Sequence, residues 1–345
     1  MSRPTKPERL EDGQNIENRY YIRTEIGDGA FARVYSAFDS VSIEPVALKM
    51  LNGDRRRMAA RERRILHQLG RADHPNIIRL LRYFTDDPLR MYGSHRGDSS
   101  QGPIHILVYP LLEGTLLQEI QKDRDARGGV GGLNGEKLVP DIRSIAKGLA
   151  FLERQRIVHM DLKPENILRT RGPPNRLVLA DFGNAALDIA NETCYEAQTP
   201  WYRAPEVCLP AKYGAAVDLW SLGCIVYEME VGKALFRAET CERLTLLHVR
   251  ELGKPPKEFL ELESPREVDG MLSEHRWLTT AFDGSVVCRS RAWIKAPRSA
   301  KPNPRSPLLR THNMIASLLQ WMPGQRVLAS ELSEWEELAD TPVGE

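Results

Sequence analysis

The hydrophobic period of this chain changes once, near Glu113, and that change limits the folds open to it. From about Tyr20 to Met50, short β-branched and aromatic runs alternate with turn residues, as in "YYIRTEIGDGAFARVYSAF" and "EPVALKML". That alternation predicts an antiparallel meander. "NIIRLLRYF" and "IHILVYPLL" predict two further strands, with "TDDPLRMYGSHRGDSSQGP" between them as a flexible surface loop. One helix interrupts the strands: "RMAARERRILHQLG" sets Met58, Ile65, Leu66 and Leu69 at helical spacing and stops at Gly70. Beyond Glu113, "TLLQEIQKD", "VPDIRSIAKGLAFLERQ", "AAVDLWSLGCIVYEMEVG" and "LLRTHNMIASLLQWM" read as helices. The glycine-rich "RGGVGGLNG" separates the first two. The fold class is therefore α+β, a small β-rich lobe ahead of a larger helical one. A cleft is expected at their junction, near Pro110 to Glu113. A chain of 345 residues without a fixed-period repeat is long enough for two such bodies.

Charge and cysteine usage narrow the function classes. The 48 basic and 47 acidic residues nearly cancel, which gives no global pull toward nucleic acid or an anionic membrane. Arginine-rich pieces such as "GDRRRMAARERR" and "RSRAWIKAPRSAKPNPRS" read as solvated faces, so no direct nucleic-acid binding is expected. Five cysteines, an odd number with no CxxC spacing, argue for a reduced intracellular protein without a disulfide frame or zinc site. Residues 1–19 are polar and charged, a disordered tail rather than a secretory signal, and residues 341–345 form a second tail. Apolar segments such as "IHILVYPLL" are too short to span a bilayer. The expectation is a soluble protein of the cytoplasm, the nucleus or both, with no membrane partner.

Chemistry-bearing residues recur in a fixed order. In "IGDGAFARVY", Gly27 and Gly29 let backbone amides approach phosphate oxygens without a Cβ in the way. Ala32 stands where a third glycine would complete GxGxxG, and an ordinary hairpin turn is an equal reading. Strand rather than helix follows, unlike a dinucleotide-binding fingerprint. Lys49 lies in the apolar strand "VALKM", where an unpaired charge is costly. It either snorkels to the surface or pairs with Glu62, which shares the inner face of the next helix with Leu66. "HMDLKPEN" and "LVLADFGNA" then bring Asp161 and Asp181, twenty positions apart. Asn166 and Asp181 offer hard oxygens of the kind Mg²⁺ takes. Asp161 can accept a hydroxyl proton, and Lys163 can neutralise a transferring phosphate. Any one of these alone reads as a turn or cap residue; the ordered set does not.

Over residues 20–340 the sequence resembles the eukaryotic protein kinase superfamily. The glycine loop, "VALK", "DLKPEN", "DFG", "TPWYRAPE" and "DLWSLGC" occur in that family's order. The resemblance implies a bilobal fold, with residues 20–110 as the N-lobe and 111–340 as the C-lobe. It places ATP against Ile26, Gly27, Gly29, Val34, Ala47, Lys49, Leu168 and a hinge from Tyr109 through Pro110 to Leu112. Lys49 and Glu62 would pair and orient the phosphates, Asn166 and Asp181 would hold magnesium, and Asp161 would deprotonate the substrate hydroxyl with Lys163 on the γ-phosphate. Lys163 and Thr199 imply serine or threonine of a protein as acceptor. Glu206 is expected to pair with Arg326, and Asp218 to brace the catalytic loop.

"YRAPEV", "DLWSLGCIVYEM" and "VRELGKPPKEF" look like the branch of cyclin-dependent, MAP, DYRK, CDC-like and SR-protein kinases, the CMGC branch. Residues 243–305 are long enough for that branch's insert. "DFGNA" and "EAQTPWYR" look closest to the SR-protein kinases, with acidic Glu196 where relatives carry phosphotyrosine. Pro200 replaces the branch's usual arginine after the loop threonine, which puts proline-directed specificity in doubt. Glu251, Glu258, Glu261, Glu263 and Glu267 suit an Arg-rich peptide or a merely solvated insert surface. Met160 replaces the arginine that in many kinases pairs with a loop phosphate. An apolar plug there, in an enzyme active without loop phosphorylation, is the expectation. A catalytically weak scaffold on the same fold is the alternative, against which intact Lys49, Asp161, Asn166 and Asp181 argue.

Overall fold

The computed structural model describes residues 7–29, 32–92, 102–133, 135–187, 197–208, 213–260 and 307–334. Two compact units divide the chain. One holds Met1–Glu113 with Thr170–Asn175 and Leu179–Ala185; the other holds Gly114–Arg169, Arg176–Val178 and Ala186–Glu345.

In the first unit, strands β1 (Asn15–Ile16), β2 (Tyr20–Asp28), β3 (Ala32–Asp39), β4 (Glu44–Leu51), β5 (Arg82–Asp86) and β6 (Ile104–Pro110) form one antiparallel sheet. Its order is β1-β2-β3-β4-β6-β5. Successive side chains of a strand point to opposite faces, so β4 splits into two sets. Val46, Leu48 and Met50 join Tyr20, Ile22, Tyr35, Ile104, Ile106 and Val108 in the core. Each fully buried side chain of this kind contributes about 1.5–3 kcal/mol. The intervening Ala47 and Lys49 face the other way, and the register sets Ala47 opposite Tyr109 and Lys49 opposite Val34. Helix α1 (Arg56–Gly70) buries Ala59, Glu62, Ile65, Leu66 and Leu69 along one stripe.

Three stretches of this unit depart from the sequence reading. Residues 7–19, expected as a disordered tail, are packed: Leu10 and Ile16 enter the same core. The Leu10 N–H donates to Tyr35 Oη at 3.1 Å, and Asn15 pairs with Tyr21. Two well-placed apolar residues anchor a segment whose average composition reads as solvent-loving. In the expected loop after Phe84, Pro88–Tyr92 forms helix α2, and its buried Met91 accepts a hydrogen bond from the Gln14 side chain on its carbonyl. Strand β5 also starts later than "NIIRLLRYF" suggests. Ile78 N–H donates to Leu179 O at 2.9 Å, and Leu179 N–H to Asn76 O at 2.9 Å.

In the second unit, α3 (Leu116–Ala126) opens with a reciprocal cap between Thr115 and Gln118. Helices α4 (Gly135–Arg154), α5 (Ala216–Val231), α6 (Cys241–Leu252), α7 (Lys257–Leu260), α8 (Pro307–Leu318) and α9 (Ala329–Glu334) follow. The glycine-rich stretch before α4 is a contact rather than a spacer. Leu133 N–H donates to Met229 O at 2.6 Å, and a Cβ at Gly132 would stand 2.0 Å from that oxygen. Helix α5 is buried nearly all round, with Trp220, Phe236, His248 and Trp321 packed as an aromatic cluster. The expected insert at 243–305 begins within α6 and α7, and its residues 261–306 lie outside the described residues.

Candidate active site

Lys49 is where the apolar strand required a partner, and it has two. Its ammonium donates to Glu62 at 2.7 and 3.0 Å and to Asp181 Oδ1 at 2.7 Å. The surface-snorkelling alternative is excluded, since Lys49 is 7% exposed. Burial works against the charge, but the Asp181 and Glu62 carboxylates outweigh it and hold the ammonium above its usual range. Burial pushes the Glu62 carboxyl up. Asp181 takes a left-handed backbone (φ 62°) and caps the turn Phe182–Asn184, a conformation costly for a residue with a Cβ. At Gly183 a Cβ would meet the Met58 side chain at 2.6 Å, so glycine lets this turn lie against α1.

The other residues of the expected nucleotide set in this unit lie on β2, β3, β4, β6 and the segments just after β2 and β6. Gly27 pairs with Val34 beyond a register shift, and Gly29 N–H closes the turn on Ala32 O at 3.0 Å. Residues 30 and 31 at the loop tip lie outside the described residues. Ile26 is largely exposed, and Pro110 and Leu112 are half-buried. Tyr109, expected at the hinge, donates its hydroxyl proton to Glu62 Oε1 at 2.7 Å.

In the second unit, Asp161 is the centre of a polar knot. Thr199 Oγ1 donates to Asp161 Oδ1 at 2.6 Å and accepts from Lys163 Nζ at 2.9 Å. Lys163 also stands 3.1 Å from Asp161 Oδ2. Asn166 Nδ2 donates to the Asp161 carbonyl at 2.8 Å, which leaves its amide oxygen for a hard cation. The loop is held from behind by buried Asp218, which accepts the N–H groups of His159 at 2.6 Å and Met160 at 3.1 Å. Met160 itself is 5% exposed, with a left-handed φ of 66°. Leu168 is half-buried on the strand Ile167–Arg169. Glu206 and Arg326 form a two-pronged pair at 2.6 and 2.7 Å, both side chains fully buried. Glu196 lies outside the described residues.

Gln198 went unremarked in the sequence. In a left-handed backbone (φ 63°) its amide donates to Val217 O at 3.1 Å and Ser221 Oγ at 2.9 Å, and accepts from Ala204 N–H at 2.9 Å. That clamp fixes the neighbouring Thr199. No sequence period marks it.

No cluster of three or more His, Cys, Asp or Glu among the described residues could hold an ion. Asn166 in the second unit carries an amide oxygen and Asp181 in the first a carboxylate, both hard oxygens of the kind Mg²⁺ takes.

A lysine bound to a helix carboxylate in the first unit, and in the second a loop aspartate ringed by lysine, asparagine and threonine with a buried Glu–Arg tie, are the features of the protein kinase class. Residues 20–335 match the Protein kinase domain family, and the chain belongs to it. It is 31% identical over 338 residues to the putative dual specificity tyrosine-phosphorylation-regulated kinase 3 homolog of Drosophila melanogaster, covering 92% of this chain and 38% of that protein. With the cell division control protein 2 homolog 3 of Trypanosoma brucei brucei it shares 35% over 261 residues, 73% of this chain and 72% of the relative. Dual specificity tyrosine-phosphorylation-regulated kinase 3 of Rattus norvegicus is 31% identical over 281 residues, 79% of this chain and 44% of the relative. The chain thus spans less than half the length of these DYRK relatives. These relatives support the CMGC branch and do not single out the SR-protein kinases. No helix among the described residues is long and apolar enough to cross a membrane.

Proposed function

We propose that the chain transfers the γ-phosphate of ATP to serine or threonine hydroxyls of protein substrates. The observation that carries this reading is the Asp161–Lys163–Thr199 knot, a carboxylate and a cation held together around a hydroxyl. A substrate hydroxyl placed there gives its proton to Asp161 while its oxygen bonds to the γ-phosphorus. The bond from that phosphorus to the β–γ bridging oxygen breaks, and ADP leaves. Lys163 offsets charge on the phosphoryl group, and Lys49, fixed by Glu62, takes phosphate oxygens. Asn166 and Asp181 are the residues that would hold magnesium, which would supply Lewis-acid stabilisation of the phosphate charge. The test is transfer from radiolabelled ATP to a protein substrate, with phosphoamino-acid identification. Asp161→Asn should lower the rate about 10²–10⁴-fold; equal rates would end the proposal. The dual-specificity names of the relatives favour a second reading in which tyrosine is also an acceptor.

Substrate choice and activation extend the proposal. Buried Glu228 accepts from Tyr202 Oη at 2.7 Å, and its carboxyl is pushed up by burial and by the charge of exposed Glu165. Two carboxylates, one buried and one exposed, beside the loop of Asp161 suit an arginine of the substrate. A positional peptide scan showing no gain from arginine near the acceptor would count against this. Buried Met160 cannot bind a phosphate, and Thr199 is already seated on Asp161. The enzyme is therefore proposed to be active without loop phosphorylation. Phosphatase treatment should leave most of the activity in place.

A further inference from the structure

We propose that the Tyr109 hydroxyl is a positioning group for nucleotide binding, anchoring Glu62 while Lys49 exchanges Asp181 for phosphate oxygens. The inference rests on the nucleotide reading above.

The geometry begins with a shortage of positive charge. Glu62 is 1% exposed, Lys49 is 7% exposed, and the lysine serves two carboxylates, Glu62 and Asp181. An ammonium has three protons, and three oxygens already take them: both of Glu62 and Oδ1 of Asp181. For Lys49 to reach a phosphate, it must release one of these contacts. Release from Glu62 would leave a buried carboxylate short of a donor, at a cost well above that of a lost surface pair.

Tyr109 changes that balance. It lies one residue before the end of β6, opposite Ala47 and on the same sheet face as Lys49, which aims its ring across the sheet toward α1. Its hydroxyl reaches Glu62 Oε1 at 2.7 Å, the oxygen on which the lysine contact is the longer, 3.0 Å. The phenol is a neutral donor with its proton firmly held, since burial and the Glu62 charge both oppose its ionisation. Glu62 therefore keeps one fixed donor whichever partner Lys49 takes. The Asp181 contact is the one free to yield, because that side chain is 39% exposed and water can replace the lysine. Phenylalanine would fill the same volume and remove only the anchor.

The test is a double-mutant cycle on the full chain, read by the affinity of the magnesium complex of a non-hydrolysable ATP analogue. Tyr109→Phe should weaken binding about tenfold, the scale of one hydrogen bond to a charged group, and raise KM for ATP more than it lowers kcat. In a Glu62→Ala background the same change should cost nothing further. Should that background fail to fold, Glu62→Gln serves, where the weaker acceptor should shrink the loss. Unchanged affinity in Tyr109→Phe, or the same loss in both backgrounds, would overturn the inference. Affinity needs no turnover, so a chain that binds the analogue but transfers nothing fails the proposed function and leaves this test intact.

Discussion

Thr199 gives its hydroxyl proton to Asp161 at 2.6 Å while taking one from Lys163 at 2.9 Å, so the putting-together of acid and cation runs through a residue 38 positions from the aspartate. Thr199→Ser keeps both bonds and should keep the activity. Thr199→Val keeps the shape, loses both bonds and should lower kcat by about tenfold or more. Steady-state kinetics of the two variants, beside their melting curves, checks this.

The pair Glu206–Arg326 joins segments 120 residues apart, with both side chains at 0% exposure. Removing one partner leaves a buried charge alone. Arg326→Met should destabilise the protein by about 3–5 kcal/mol, whereas the double variant Glu206→Gln/Arg326→Met should recover a large part of it. Denaturant titrations of the three chains measure the difference.

Much of this architecture could be read from residue order, and the reasons are local. A lysine inside "VALKM" demanded a carboxylate, and helical spacing left Glu62 as the one facing inward. Asp161 and Asn166 sit five residues apart, so their shared loop was visible as a string. The Glu206–Arg326 tie could be foreseen only through family resemblance, because nothing in either neighbourhood points across 120 residues. The Tyr109–Glu62 bond was hidden because the face a strand residue takes shows only once its register is known. The packed residues 7–19 were hidden by averaging, since Leu10 and Ile16 are few among many polar neighbours.

His248 supplies a pH prediction. Burial among Trp220, Phe236 and Trp321, with Arg326 adding repulsion, pushes its pKa down to about 3. The unfolded chain takes this proton near pH 6.5 and the folded one does not, so the contribution is intact above 6.5 and is lost as pH falls toward 3. At pH 5 the loss is about 2 kcal/mol from this group alone. His248→Phe should flatten that part of the stability profile, measured by thermal melts between pH 7.5 and 4.5.

Metal dependence follows from the roles proposed for Asn166 and Asp181. Chelation should stop phosphate transfer, and added magnesium should restore it. Asn166→Ala should raise the half-saturating magnesium concentration about tenfold, roughly one ligand's worth. Initial rates across a magnesium titration give the answer.

Asp218 grips the loop through the backbone N–H groups of His159 and Met160, not through their side chains. Arginine and methionine own the same N–H. Position 160 therefore has two separable parts: its main chain holds the loop that carries Asp161, and its side chain takes no share in that grip. The side chain can be exchanged while the two N–H bonds to Asp218 stay in place, so the loop keeps its position whatever residue stands there.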